Sequence, residues 1–282
     1  VGVLEQAQVG QRMFDFGTLE EAQAAVHAVR HPGIEQRALD DPALRIAAVE
    51  QRDLLARRAA AVQLLRFVEG EPSLAAVGGG AAEPMPHFVV TGPTSKATLF
   101  AAGTMRTWGV GILPAGWAKF FAIPAEELAD RSVDGAEHPA FAHLAPLSAA
   151  LRRENDVEAA ARMLDDHFVG LLAGAPRDDP AIFAAHAALI DDDLTSVADL
   201  AEKLDLSQRS VERLSRRAFG FPPKLLLRRQ RFLRSLARFM LNPSMSWIET
   251  LDYQYYDQAQ FTRDFQRFMG MSPRAYAVRP KP

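Results

Sequence analysis

The 282-residue chain contains no cysteine, which excludes disulfides, thiolate metal sites and cysteine nucleophiles. That absence fits a reducing compartment, and the cytoplasm is the expected location. No stretch reaches the roughly 18 consecutive apolar residues of a membrane-spanning helix, so no membrane partner is expected. The first residues, VGVLEQAQVGQRMFDFG, lack the basic start and apolar core of a secretory signal. Seven histidines are scattered along the chain, and only His138 and His143 lie close together, with no supporting pattern of carboxylates. The glycine triplet at 78–80 has no strand–glycine–helix context and no downstream Lys-Ser/Thr, so it does not read as a phosphate cradle. No Gly-x-Ser-x-Gly elbow occurs either. No cofactor, no metal and no catalytic constellation are therefore expected, and the chain does not read as an enzyme.

What is present is a globular balance, 48% hydrophobic and 24% charged residues, on a chain long enough for two ordinary domains. The net charge of −3 conceals a strong asymmetry. Residues 203–282 hold sixteen Lys/Arg against six Asp/Glu, whereas the first 202 residues hold sixteen against twenty-nine. An acidic body with a basic C-terminal third points to a polyanionic partner for that third.

The expected fold class is α+β in three parts. Residues 1–67 form a helical lead segment, because Ala, Glu, Gln, Arg and Leu dominate 18–67 and Thr18 with Glu21 fits a capping box. Residues 68–176 form a mixed regulatory or dimerisation domain. There HFVVTG, KATLFAAG and RTWGVGILP, bounded by Gly and Pro, predict strands of a small antiparallel sheet, and later residues turn helical. The Pro-rich, charged APRDDP at 175–180 predicts a linker. Residues 181–282 read as all-helical. Trp108, Trp117, Phe120 and Phe121 could line an apolar ligand pocket or simply form core.

The basic third contains a repeat. Shifted by 50 residues, SQRSVERLSRRAFGFPPK (207–224) overlays DQAQFTRDFQRFMGMSPR (257–274). Gln208 matches Gln258, Arg213 matches Arg263, Arg217 matches Arg267, Gly220 matches Gly270 and Pro223 matches Pro273. Ser207 and Asp257 are good helix N-caps, and each glycine stands where a left-handed residue would end a helix of about 12 residues. A short helix is expected ahead of each copy, the first over 196–205, which is the helix-turn-helix pattern. In the first copy Val211, Leu214 and Ala218 make the buried stripe, while Gln208, Arg209, Glu212, Arg213 and Arg216 project outward. In the second, phenylalanines 261, 265 and 268 bury, while Gln258, Ala259, Thr262, Arg263 and Gln266 face out. Arg can donate two bonds to guanine and Gln can pair with adenine, so double-stranded DNA is the expected partner. The helix joining the copies, roughly Pro223 to Leu241, would be on the order of 27 Å long. Its Arg228, Arg229, Arg231, Arg234 and Arg238 offer charge for phosphates.

Over residues 190–278 the sequence resembles the AraC/XylS family of transcription regulators, most specifically in YYDQAQFTRDFQRFMGMSPRAY (255–276) and then in LSQRSVERLSRRAFGFPPKLLLRRQRFLRSL. The resemblance implies a double helix-turn-helix domain in which Gln208, Arg209, Glu212 and Arg213, then Gln258, Ala259, Thr262 and Arg263, face the bases, with Arg216 and Arg267 beside them. Residues 77–135 are similar to the small mixed domain of one AraC-like subgroup. Gln254 departs from the pattern, standing where the family usually has a glycine, and Gln takes a left-handed backbone only at a cost. RNA polymerase, a second copy of the chain and a small-molecule effector are further candidate partners. No heptad pattern marks a dimer seam. The alternative reading is a small-molecule-binding or enzymatic N-terminal domain with an accessory helical domain.

Overall fold

In the computed structural model the described residues are 63–278, apart from 72, 78–79, 102–104, 173, 175–178, 191–192 and 242–244. The helical reading of 18–62, with its Thr18–Glu21 capping box, lies outside them.

The sheet begins where a helix was expected. QLLRF, the last five residues of the stretch read as helical, opens strand β1 (Gln63–Gly70). Leu65 and Phe67 alternate inward along it, a period of two that suits a pleated strand. Its neighbours are β4 (Phe88–Thr91) and β6 (Met105–Ile112), and β7 (Ser132–Asp134) completes an antiparallel sheet of order β6-β1-β4-β7. Register places Leu65 opposite Val90 and Val110, and Phe67 opposite Phe88 and Trp108, so one apolar face is continuous across three strands. A second sheet runs β3 (Glu83–Pro84), β2 (Leu74–Val77), β5 (Thr98–Ala101).

Three helices cover the apolar face: α1 (Pro114–Phe120), α2 (Ala145–Arg153) and α3 (Val157–Leu172). Trp117, Leu151, Leu164 and Phe168 bury against the sheet residues in one core. The two indoles of this core each find a carbonyl, Trp108 Nε1 donating to Leu151 O (3.0 Å) and Trp117 Nε1 to Ile123 O (2.8 Å). Trp108, Trp117 and Phe121 are thus fully packed core, with Phe120 at its margin.

The remaining elements are helical: α4 (Pro180–Ile190), α5 (Val197–Lys203), α6 (Gln208–Phe219), α7 (Pro223–Leu241), α8 (Gln258–Met269) and α9 (Pro273–Ala277). They enclose two small cores. Val211, Leu214, Ala218 and Phe219 of α6 join Leu200 of α5, Leu189 of α4 and Leu226 of α7 in the first. Phe261, Phe265 and Phe268 of α8 close on Phe232 of α7 and on Tyr255 in the second. Helix α7 therefore contributes to both cores, and Gln230 at its middle donates to Leu189 O (3.0 Å). The short helix expected ahead of α8 is only a turn over 247–250, in which Ser246 and Glu249 bond one another's backbone and side chain.

Phe265 is fully buried and meets Phe232 and Trp247 edge-on. Phe265→Ala is expected to destabilise the chain by about 3–5 kcal/mol, read as a lower urea midpoint at unchanged slope. The capping box on α5 adds a pH dependence. The Asp199 carboxyl is held below its ordinary range by hydrogen bonds from the Thr195 hydroxyl and from Ser196. A depressed carboxyl stabilises above its unfolded value and loses that contribution as pH falls through the folded one. Circular dichroism along an acid titration should show a shallower loss for Asp199→Asn than for the wild type.

Candidate nucleic-acid interface

Local chemistry fixes where α6 and α8 begin and end. Ser207 has extended backbone and its Oγ accepts from Ser210 N (3.1 Å). Asp257 does the same for α8, accepting from Gln260 N (2.6 Å). The helices stop at Gly220 (φ 80°) and Gly270 (φ 69°), both left-handed, and Pro223 and Pro273 start the next helices. Each copy of the repeat is thus a 12-residue helix with a defined start and stop.

Burial separates two faces on each helix. Along α6, Gln208, Arg209, Arg213 and Arg216 are exposed and Glu212 half-exposed, opposite the buried Val211, Leu214 and Ala218. Along α8, Gln258, Ala259, Arg263 and Arg267 are exposed and Thr262 is half-exposed, opposite the three phenylalanines. All ten expected contact residues therefore lie on, or at the edge of, an outward face. Not all are equally free. Arg216 bonds Glu212 one turn back (2.9 Å) and stands 3.8 Å from Glu126 in the 3-10 turn Ala125–Leu128. The Thr262 hydroxyl donates to Gln258 O (2.9 Å) within its own helix. Arg209, Arg213, Arg263 and Arg267 make no hydrogen bond or ion pair among the described residues. Arg209, Glu212, Arg213, Arg216 and Arg217 line an open cleft of about 450 Å³ with Pro124 and Glu126.

The arginines of α7 behave differently from expectation. They turn inward. Arg228 and Arg231 both bond the Asp264 carboxylate, which is fully buried, Arg231 at 3.3 Å. Arg231 also lies over the Tyr255 ring, 4.4 Å from its centroid. Arg234 bonds buried Asp252 (2.6 Å), and Arg238 donates to Leu251 O (3.3 Å). Burial pushes the Arg229 guanidinium down to about 10, opposed by the charge of Asp130. Burial, together with the Asp264 charge, raises the Tyr255 phenol, whose hydroxyl donates to Asp264 (3.2 Å). A basic composition meets buried carboxylates here, so these side chains brace α7 against α8 and its entry turn.

Gln254 is part of that brace and carries no left-handed strain. Its N–H donates to Asp252 Oδ1 (3.0 Å), its carbonyl accepts from Arg231 (3.3 Å), and its Oε1 accepts from Arg234 (2.9 Å). The left-handed turn residue falls instead in the first motif, at Asp205 (φ 50°). Asp tolerates that conformation better than most residues. Asp252 and Asp264 were not singled out by composition, yet Asp264 left a signal. In the 50-residue overlay it stands opposite Leu214, so one copy has a carboxylate where the other has core.

No metal-binding group of three or more His, Cys, Asp or Glu is found among the described residues, and none of their helices is long and apolar enough to cross a membrane. The geometry sets one helix-turn-helix, α5 and α6, and a second capped helix, α8, preceded by a single turn, on the shared helix α7, an arrangement that suits a DNA-binding domain. Residues 200–279 match the helix-turn-helix domain family, and the C-terminal region is a helix-turn-helix domain of the AraC type. Among curated proteins none matches this chain. The fold has a remote likeness to ToxT of Vibrio cholerae. The O395 protein is 12% identical over 77% of this chain and 92% of that one, with a TM-score of 0.39. A second crystal form is 9% identical over the same shares, with a TM-score of 0.40. No residue of ToxT is carried over at that distance.

Asp264→Ala would leave two arginines facing a dry gap. The expected loss is about 3–5 kcal/mol, and Asp264→Leu, which copies the first motif, should not restore it because Arg228 and Arg231 stay uncompensated. Guanidinium unfolding of both variants checks this.

Proposed function

We propose that this protein is a sequence-specific transcription regulator that reads two successive major grooves of DNA, with α6 and α8 as the reading helices. One observation supports this above others: two capped, glycine-terminated helices, 50 residues apart in sequence, each present unpaired arginines on an exposed face. Helix α7 has 19 residues, so it spans about 28 Å. Major grooves on one side of B-DNA recur at roughly 34 Å, a separation such a connector suits. Gln208, Arg209, Glu212 and Arg213, and then Gln258, Ala259, Thr262 and Arg263, would supply base contacts, with Arg216 and Arg267 beside the phosphates. With the α7 arginines engaged internally, the phosphate charge comes from the two reading helices. Binding should therefore be salt-dependent, but less steeply than the count of sixteen Lys/Arg in 203–282 suggests. Reading chromosomal DNA would place the protein in the cytoplasm. RNA polymerase, a second copy of the chain and a small-molecule effector are its further proposed partners, the last two through the region of 68–176.

Selection of bound sequences from a random duplex pool tests the reading directly. On the selected site Arg263→Ala is expected to cost about 1–3 kcal/mol and relax preference at one or two base positions. Arg267→Ala should weaken all duplexes alike and lower the salt slope by about 1. Equal, weak binding to every duplex, unchanged by Arg263→Ala, would sink the proposal.

A further inference from the structure

The loop between β4 and β5, residues 92–97, leaves the sheet region and reaches the ends of both proposed reading helices. At one end the Pro93 ring packs on Gly220, the left-handed cap of α6. A Cβ placed on Gly220 would overlap that ring and stand 3.2 Å from Ala125 O. At the other end the Ala97 N–H donates to Phe268 O in the last turn of α8, 2.6 Å away. Between these points the loop is pinned by Asp130, which accepts from the Ser95 N–H (2.5 Å) and the Ser95 hydroxyl (2.6 Å) while its own N–H donates to Pro93 O (2.8 Å). Asp130 holds a left-handed backbone (φ 56°) to do so, and its charge supports Arg229 of α7.

These contacts close a ring. Helix α7 joins the two motifs along one side, and its Leu225 touches both of their cores. A single shared helix leaves a hinge, because two small lobes can bend or twist about it. The loop adds a second connection on the other side, from the end of α6 to the end of α8, and a ring of contacts removes that hinge. DNA is sensitive to the difference. One inserted base pair turns one sub-site by roughly 34–36° and moves it ~3.4 Å relative to the other.

The geometry points to the 92–97 loop as a spacer that fixes the separation of α6 and α8, so that the sheet-bearing region sets which distance between two DNA sub-sites the protein accepts. This rests on the two-groove reading above. The residues concerned position the reading helices and touch no base. The test uses the full chain and synthetic duplexes built on the selected sequence: native separation, one base pair inserted, one deleted, and each sub-site alone. In anisotropy titrations the wild type should lose about tenfold or more in affinity on insertion or deletion. Ala97→Pro, which removes the donor to Phe268, and Pro93→Ala, which removes the ring against Gly220, should each lose less than about threefold, with single-sub-site affinities unchanged. Folded variants that keep the full wild-type penalty overturn the spacer. Should Ala97→Pro fail to fold, Pro93→Ala leaves every backbone donor in place and decides the question. If the wild type shows no penalty while Arg213→Ala and Arg263→Ala each weaken their own sub-site, the spacer falls and the two-groove reading stands. If neither substitution has an effect, the reading itself falls, and the spacer with it.

Discussion

A buried carboxylate governs the C-terminal half of this protein. Asp264 sits with no solvent exposure between Arg228, Arg231 and the Tyr255 hydroxyl. A charge in that position is costly unless every lone pair is met, and here two guanidinium groups and a phenol meet them. The consequence is directional. A greasy contact between α7 and α8 could slide by a fraction of a turn, whereas charge-assisted bonds to one carboxylate hold one register. Asp252 repeats the device one layer away, its carboxylate accepting from Arg234 and from the Gln254 N–H while its own backbone N–H donates to the Ser235 hydroxyl. The outward face of α8 has a defined direction because its inward face is bolted in this way.

The same constraint changes how the chain's charge is understood. Sixteen Lys/Arg in the last 80 residues make a strongly basic segment on paper. Much of that charge is neutralised locally, by Asp264 and Asp252 on α7 and by Asp179 and Glu212 on α6. Of the arginines left over among the described residues, 209, 213, 263 and 267 lie on the outward faces of α6 and α8, and Arg274 stands beside them on α9. Selectivity benefits from such thrift, because a diffuse basic surface would hold any duplex.

Much of this was legible in the sequence. The 50-residue repeat located both capped helices, their glycine stops and the prolines that restart the chain, because caps and stops are local chemistry. Stripes of Val211, Leu214 and Ala218, and of Phe261, Phe265 and Phe268, marked the inner faces correctly, since helical periodicity survives folding. Two kinds of information did not show. QLLRF at 63–67 is apolar enough for either helix or strand, and only pairing with β4 and β6 decides it. The fate of the α7 arginines depended on carboxylates 18 to 36 residues away in sequence, a relation that no local pattern encodes. Gln254 illustrates the same limit: a glycine's absence suggested backbone strain, but the turn was rebuilt around the glutamine side chain.

Helix α7 serves two cores at once, with Leu226 in the first and Phe232 in the second. Neither lobe can lose its packing without exposing part of the helix that the other requires. Local opening is therefore shared. The two motifs form one cooperative unit in the sense used for hydrogen exchange, and the amides at the centre of α7 should exchange only through the opening that releases both lobes. A repeat that reads as two modules along the sequence is, in its thermodynamics, a single one.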